Sequence, residues 1–137
     1  MIVIRSATPD DLASVVDLWN RAAGPTRRAG QVPEASALLA RDPHALIVAD
    51  DEGEIVGTLI VGWDGWRCHL YRLAVDPSVR RSGIASRLVA EARARAVALG
   101  VFRIDAMVDG DNAGAHGFWA SVGFDVDGHD QRWSLLL

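Results

Sequence analysis

The sequence predicts an α/β fold. Its centre is a mixed, mostly antiparallel sheet of about six or seven strands, with one parallel β-α-β unit and about four flanking helices. Three observations predict it. Residues 70–108 read as strand, loop, long helix and strand, the pattern of a crossover between parallel strands. Residues 45–75 are three apolar runs separated by turn signals. Four stretches carry helix starts, stops or helical apolar spacing: 8–23, 34–40, 84–99 and 113–121.

Composition bounds the rest. At 137 residues, half of them apolar, the chain has the length of one domain, residues 1–137, with a proper core. A net charge of −4 gives no reason to expect nucleic acid or an acidic membrane as partner. The single cysteine, Cys68, excludes an internal disulfide and fits a reducing compartment. The start MIVIRSATPDD lacks the pattern of a signal peptide, and no apolar run approaches a membrane span. A cytoplasmic protein is expected. The four histidines and one cysteine show no metal-binding spacing.

In order, Ile2–Arg5 is a short strand. Thr8-Pro9-Asp10-Asp11 starts a helix, with Thr8 as cap, Pro9 in the first turn and acids behind it. Leu12, Val15, Val16 and Trp19 form its apolar stripe, and Gly24-Pro25 ends it near Ala23. Pro33 opens a short helix over 34–40. Strands follow at 45–50 and 54–63, the second with Gly57 and Gly62 marking a bulge or close packing. Asp64-Gly65 signals a two-residue hairpin, and 66–75 returns antiparallel. After the long helix come a strand at 102–108, a helix at 113–121, and a final hairpin of 124–127 and 131–136.

The crossover unit holds the strongest functional signal. Asp76-Pro77 stops the strand, and Ser78-Val79-Arg80-Arg81-Ser82-Gly83 leads into the helix. The first N–H groups of a helix have no internal partner, and the helix dipole adds roughly half a positive charge there. Gly83 lets a ligand approach the backbone, and Arg80 and Arg81 add charge. The loop reads as an anion site or as a solvated basic turn. The phosphate loop of nucleotide hydrolases needs a lysine, and this chain has none: all fourteen basic residues are arginine. The glycine pattern of a dinucleotide fold is also absent.

The run Arg80-Arg81-Ser82-Gly83-Ile84-Ala85 resembles the R/Q-x-x-G-x-G/A loop of the GNAT superfamily, the Gcn5-related N-acetyltransferases. Asn112, Ala115, Phe118, Gly123 and Phe124 resemble that family's second motif, N-x-x-A-x-x-F-Y-x-x-x-G-F, with Trp119 at the tyrosine position. The resemblance extends over nearly the whole chain. It implies acetyl-CoA as cofactor, its pyrophosphate wrapped by Arg80, Arg81, Ser82, Gly83, Ile84, Ala85 and Ser86. It implies that Leu73, Ala74 and Val75 line the pantetheine arm, with the Val75 N–H facing the developing oxyanion. Asn112, Phe118 and Trp119 would complete the cofactor site, Asn112 serving equally as a helix cap. The two parallel strands would splay to admit the acyl chain. Residues between the first two helices would line the acceptor pocket. Arg27 and Arg28 there read as a solvated loop or as a preference for an acidic acceptor. Dimerisation is common in the resembling family.

The chemistry needs a neutral amine. A lysine-like amine is neutral about once in two thousand at pH 7, so deprotonation costs roughly 4–5 kcal/mol. Many members of the resembling family place a glutamate on the central strand for this task; here that position is Tyr71, with Arg72 beside it. Neither is a carboxylate. His69 shares a strand face with Tyr71 and is the next candidate base, or a structural histidine. Trp119 stands where a tyrosine would protonate the leaving thiolate; an indole N–H can hydrogen-bond sulfur but not protonate it. It also reads as packing against Phe118 and Phe124. The expected activity is acetyl transfer from acetyl-CoA to a primary amine of a small molecule or peptide, by direct attack in a ternary complex. The alternative is a non-catalytic acyl-CoA-binding module of the same fold.

Overall fold

The structure, a computed structural model, describes residues 1–22 and 31–137. These divide into two compact units, residues 1–107 and 108–137, each taken by itself below. The expected helix end near Ala23, and Arg27 and Arg28, lie outside the described residues.

The first unit is a five-stranded sheet. Its strands are β1 (Ile2–Ser6), β2 (Leu46–Asp51), β3 (Glu54–Trp63), β4 (Cys68–Val75) and β5 (Ile104–Ala106), in that spatial order. The first three pairings are antiparallel, and β4 with β5 is parallel. This is the mixed sheet with one parallel unit that the sequence predicts, with five strands rather than six or seven.

Thr8 starts the first helix as expected. Its N–H donates to Asp11 Oδ2 at 2.7 Å, and its hydroxyl lies 3.2 Å from the same atom. Pro9–Asp11 form one tight 3-10 turn before α1 (Leu12–Ala22). Arg5 donates to Asp11 at 2.7 and 2.9 Å and to Asp50 at 3.0 and 3.1 Å, joining β1, β2 and this cap. The Arg5 guanidinium is the main reason the Asp11 carboxyl is lowered to about 2.

The core follows the stripes. Leu12, Val15, Val16 and Trp19 of α1 are buried, joined by Leu18, and α2 (Val32–Arg41) adds Ala35 and Leu39. The other face belongs to α3 (Ile84–Ala98), which buries Ile84, Leu88, Val89, Ala92 and Ala96. Adjacent residues of β3 show the two faces. Thr58 meets Trp19 of α1, whereas a Cβ on Gly57 would lie 2.9 Å from Ile84 Cγ2 and 3.1 Å from Leu88 Cδ1 of α3. Gly57 is thus a close-approach glycine under α3.

Three expectations are corrected. The β3–β4 turn has four residues, not two. Asp64 accepts from the N–H groups of Trp66 and Arg67, both at 2.8 Å, and this side-chain turn lengthens the connection. The last strand of the first unit spans 104–106 rather than 102–108, because its pairing with β4 is confined to three residues. In the second unit, helix α4 (Ala113–Ser121) forms as expected. The hairpin of 124–127 and 131–136 does not; no strand is assigned there among the described residues. Asp127 instead closes a local bend through the His129 N–H at 3.0 Å, and Val126, Trp133, Leu135 and Leu136 are exposed. A two-stranded hairpin without a further partner is marginal in water.

Candidate active site

The site begins where β4 loses a neighbour. Its pairing with β5 runs Cys68↔Ile104, His69↔Asp105, Leu70↔Ala106 and stops. From Tyr71 to Val75, β4 is paired only with β3 among the described residues. The Asp76 N–H donates to Val56 of β3 at 2.8 Å. Successive N–H groups of a strand point to opposite edges, so the Val75 and Leu73 N–H groups point to the open edge. An extended ligand arm needs such backbone groups.

β4 also carries a bulge. Thr58 faces Ala74 but Ile60 faces Tyr71, so β4 holds one residue more than β3 across this stretch. The extra residue is accommodated at Arg72, which has φ +53°. A non-glycine residue in this region is strained and needs support. The Thr58 hydroxyl supplies it by donating to the Arg72 carbonyl at 3.0 Å, and the same oxygen accepts the Trp19 Nε1–H at 2.8 Å. The Arg72 guanidinium lies 5.2 Å from the Trp19 ring centre, a cation–π contact.

Past the strand, Asp76 fixes the turn. Its carboxylate accepts from the Ser78 N–H at 2.9 Å, the Ser78 hydroxyl at 2.8 Å and Arg21 Nη1 at 2.9 Å. These donors, the Ser78 N–H first and then Arg21, lower its carboxyl to about 2. Pro77–Val79 make one 3-10 turn, and the Ser82 hydroxyl donates to the Val79 carbonyl. Arg81 has φ +65° and Gly83 φ +80°. Gly83 is the N-cap of α3, and no side chain caps that helix. A Cβ on Gly83 would meet nothing within 4 Å, so glycine answers the backbone angle there and leaves the space open. Arg80, Arg81, Ser82 and Ser86 are exposed, Ala85 is half-buried, and Ile84 anchors the helix in the core. An uncapped helix N-terminus flanked by two arginines suits a pyrophosphate.

The face of β4 toward α1 carries His69 and Tyr71, whose ring centres are 6.3 Å apart. Tyr71 is 46% exposed and lies across Gly62, where a Cβ would be 3.1 Å from its Cε2 atom. His69 stands between two carboxylates: its Nε2 is 3.7 Å from Asp64 Oδ2 and its Nδ1 4.0 Å from Asp105 Oδ2. Cys68 points to the opposite face and is buried; burial, with the nearby Asp64 and Asp42 charges, raises its thiol pKa. It is no nucleophile in this geometry.

The sequence model of the acetyltransferase (GNAT) family matches residues 12–124. The chain belongs to this family. It is 37% identical to an acetyltransferase of Sodalis glossinidius over 111 residues, 80% of this chain and 77% of that one. Among solved structures it is similar to Ard1 of Thermoplasma volcanium, with a TM-score of 0.82, 21% identity, and coverage of 92% of this chain and 84% of that one. It is also similar to AAC(6')-Iy in complex with the bisubstrate analogue CoA-S-monomethyl-acetylneamine. There the TM-score is 0.80 and the identity 16%, with 100% and 99% of the chains covered. These two likenesses concern the fold. The chain is an acyl-CoA-dependent N-acetyltransferase.

In this GNAT acetyltransferase the remaining motif residues belong to the second unit. Asn112 caps α4, its side chain accepting the Ala115 N–H at 3.0 Å. Trp119 packs edge-on against Phe118 and Phe124, with ring centres 5.4 and 4.9 Å away. Sequence reasoning missed the support beneath Arg72 and the carboxylates beside His69. Thr58 and Trp19 gave no signal because they meet only through tertiary packing. Asp105 was within reach of register reasoning, since parallel pairing of residues 70 and 106 sets it beside His69.

Proposed function

We propose that this enzyme transfers the acetyl group of acetyl-CoA to a primary amine of a small molecule or peptide, by direct attack in a ternary complex. The observation that carries the reading is the open edge of Tyr71–Val75, continuous with the uncapped start of α3 at Gly83. Leu73 and Val75 offer N–H groups along that edge, with Ala74 between them, and residues 80–86 receive the pyrophosphate. By their match to the family's second motif, Asn112, Phe118 and Trp119 are cofactor-binding residues in this reading as well. When bound, acetyl-CoA supplies an activated thioester, so a C–N bond forms to the amine, the C–S bond breaks, and one amine proton is returned to the leaving sulfur. His69 accepts the proton of the incoming ammonium, through water at the Tyr71 hydroxyl, and Tyr71 positions the amine. Arg27 and Arg28 lie on the acceptor side in this reading and favour an acidic group on the acceptor. The family match spans both compact units, which supports residues 1–137 acting as one domain. The reading includes a cytoplasmic location; among the described residues no helix is long and apolar enough to cross a membrane.

The test is calorimetric titration with acetyl-CoA, with ATP and NAD as controls, followed by acceptor-dependent release of free thiol over an amine panel. Tight binding of acetyl-CoA alone, with thiol release on amine addition, is expected. Binding without release from any amine would favour the non-catalytic module. Gly83→Val should abolish acetyl-CoA binding while the circular dichroism spectrum persists; normal affinity would remove the loop from the site. His69→Gln should lower kcat on the order of 100-fold.

A further inference from the structure

The surroundings of His69 go beyond a lone base. Parallel pairing sets His69 of β4 opposite Asp105 of β5, so both side chains leave the same face of the sheet. Asp105 is itself fixed, because Arg103 Nε donates to its Oδ1 at 2.8 Å. The other oxygen, Oδ2, is the one facing His69 Nδ1 at 4.0 Å, about 1 Å beyond a hydrogen bond. A small ring rotation or one water closes that gap. The groups around the imidazole are Asp64 from the turn, Asp105 from β5 with Arg103 just before that strand, and Tyr71 from β4; β3 contributes the uncharged Gly62. His69 is 36% exposed at its side chain, Asp105 27% and Asp64 57%, so the Asp105 side is the better shielded from solvent. The arrangement stands at Leu70, the last residue where β4 and β5 pair, and therefore at the mouth of the open edge.

We propose that Asp105 is a positioning residue: held by Arg103, it turns His69 Nδ1 toward β5 and stabilises the imidazolium formed when His69 takes the acceptor's proton, with Asp64 as a second, more solvated counter-charge. The inference rests on the reading of His69 as proton acceptor. The proton balance is simple. An ammonium acceptor loses one proton to His69, which passes it to solvent, and the neutral amine then supplies the proton that ends on the thiol. Asp105 stays ionised throughout and forms no bond.

The sign of the pH dependence follows. Neutral imidazole is the acceptor, so kcat/KM rises with pH through the His69 titration. Removing a neighbouring carboxylate disfavours imidazolium and moves that limb to lower pH.

The experiment is an NMR titration of the imidazole resonances in the full chain, His69 being assigned with His69→Gln, alongside kcat/KM profiles with the best amine of the panel. Asp105→Asn, which removes a facing carboxylate, should move the His69 resonances' midpoint to lower pH. It should reduce kcat several-fold and leave KM for acetyl-CoA unchanged. Asp105→Glu should restore part of both effects, and Asp64→Asn should give a smaller shift. The NMR measurement needs no acceptor and no activity. An unchanged midpoint in Asp105→Asn, with His69→Gln still slow, would overturn the role of Asp105 and leave the base assignment standing. Full transfer rate in His69→Gln would overturn both.

Discussion

Thr58 is fully buried and makes two hydrogen bonds, accepting from the Trp19 indole N–H and donating to the Arg72 carbonyl. Replacing it by valine keeps the shape and strands a buried indole N–H, which costs about 1–3 kcal/mol. We expect Thr58→Val to lose about that much stability by urea denaturation, and Thr58→Ser to lose far less. The transfer rate should fall with Thr58→Val as well, since Arg72 would no longer be held at φ +53°. Two carboxylates set the acid limit. Asp11 and Asp76 both have folded-state values lowered to about 2, by Arg5 and by the Ser78 N–H with Arg21 respectively. Lowered carboxylates contribute their stability above the unfolded value near 4 and lose it as pH falls toward 2. Thermal midpoints should therefore hold down to about pH 4 and drop below it, with a shallower drop in Asp11→Asn.

At the scale of elements, β3 carries two glycines with different duties. Gly57 faces α3, where an added methyl would press on Ile84 and Leu88. Gly62 faces the site, where it would press on the Tyr71 ring. Gly57→Ala should destabilise the fold by about 1–3 kcal/mol, the usual penalty of overpacking, and leave the residual native enzyme active. Gly62→Ala should keep most of the stability and lower kcat by displacing Tyr71. Denaturation midpoints and steady-state rates on both variants separate the two. The sequence revealed that these glycines mark close packing or a bulge, yet not which. That distinction depends on which face each occupies, and the face is fixed only when register is fixed. The elements whose pattern is local were legible: the Thr8 start, the α1 and α3 stripes, the stop at Asp76-Pro77. The C-terminal hairpin was not, because a local apolar pattern suggested two strands, and strands persist only where a neighbour accepts their hydrogen bonds.

For the whole molecule, the legible part of the site was its phosphate end. Glycine, arginine and a helix start follow one another in sequence there, so the turn into α3 at Gly83, on which the proposed pyrophosphate site rests, could be read directly. The proposed base and the support beneath Arg72 are assembled from α1, β3, β4, β5 and a turn, and their members, Trp19, Thr58, Asp64, His69 and Asp105, are scattered over most of the chain. Spacing along the sequence carries no trace of such a set.

The open edge of β4 has one more consequence. Unpaired strand edges are templates on which other chains can add, and proteins commonly guard them with charge, bulges or cover. Here the edge at Tyr71–Val75 has to stay accessible, since the proposed donor lies along it. The bulge and the arginine at position 72 twist and charge it, and a bound cofactor would cover it outright. In the proposed reading, coenzyme A would then also guard against self-association. Heated without it, the protein should turn cloudy by light scattering at a lower temperature than with it. Free pantetheine, which can line the strand but lacks the pyrophosphate, should give part of that protection at saturating concentration. Equal clouding in all three conditions would mean that the edge is not where the chains first meet.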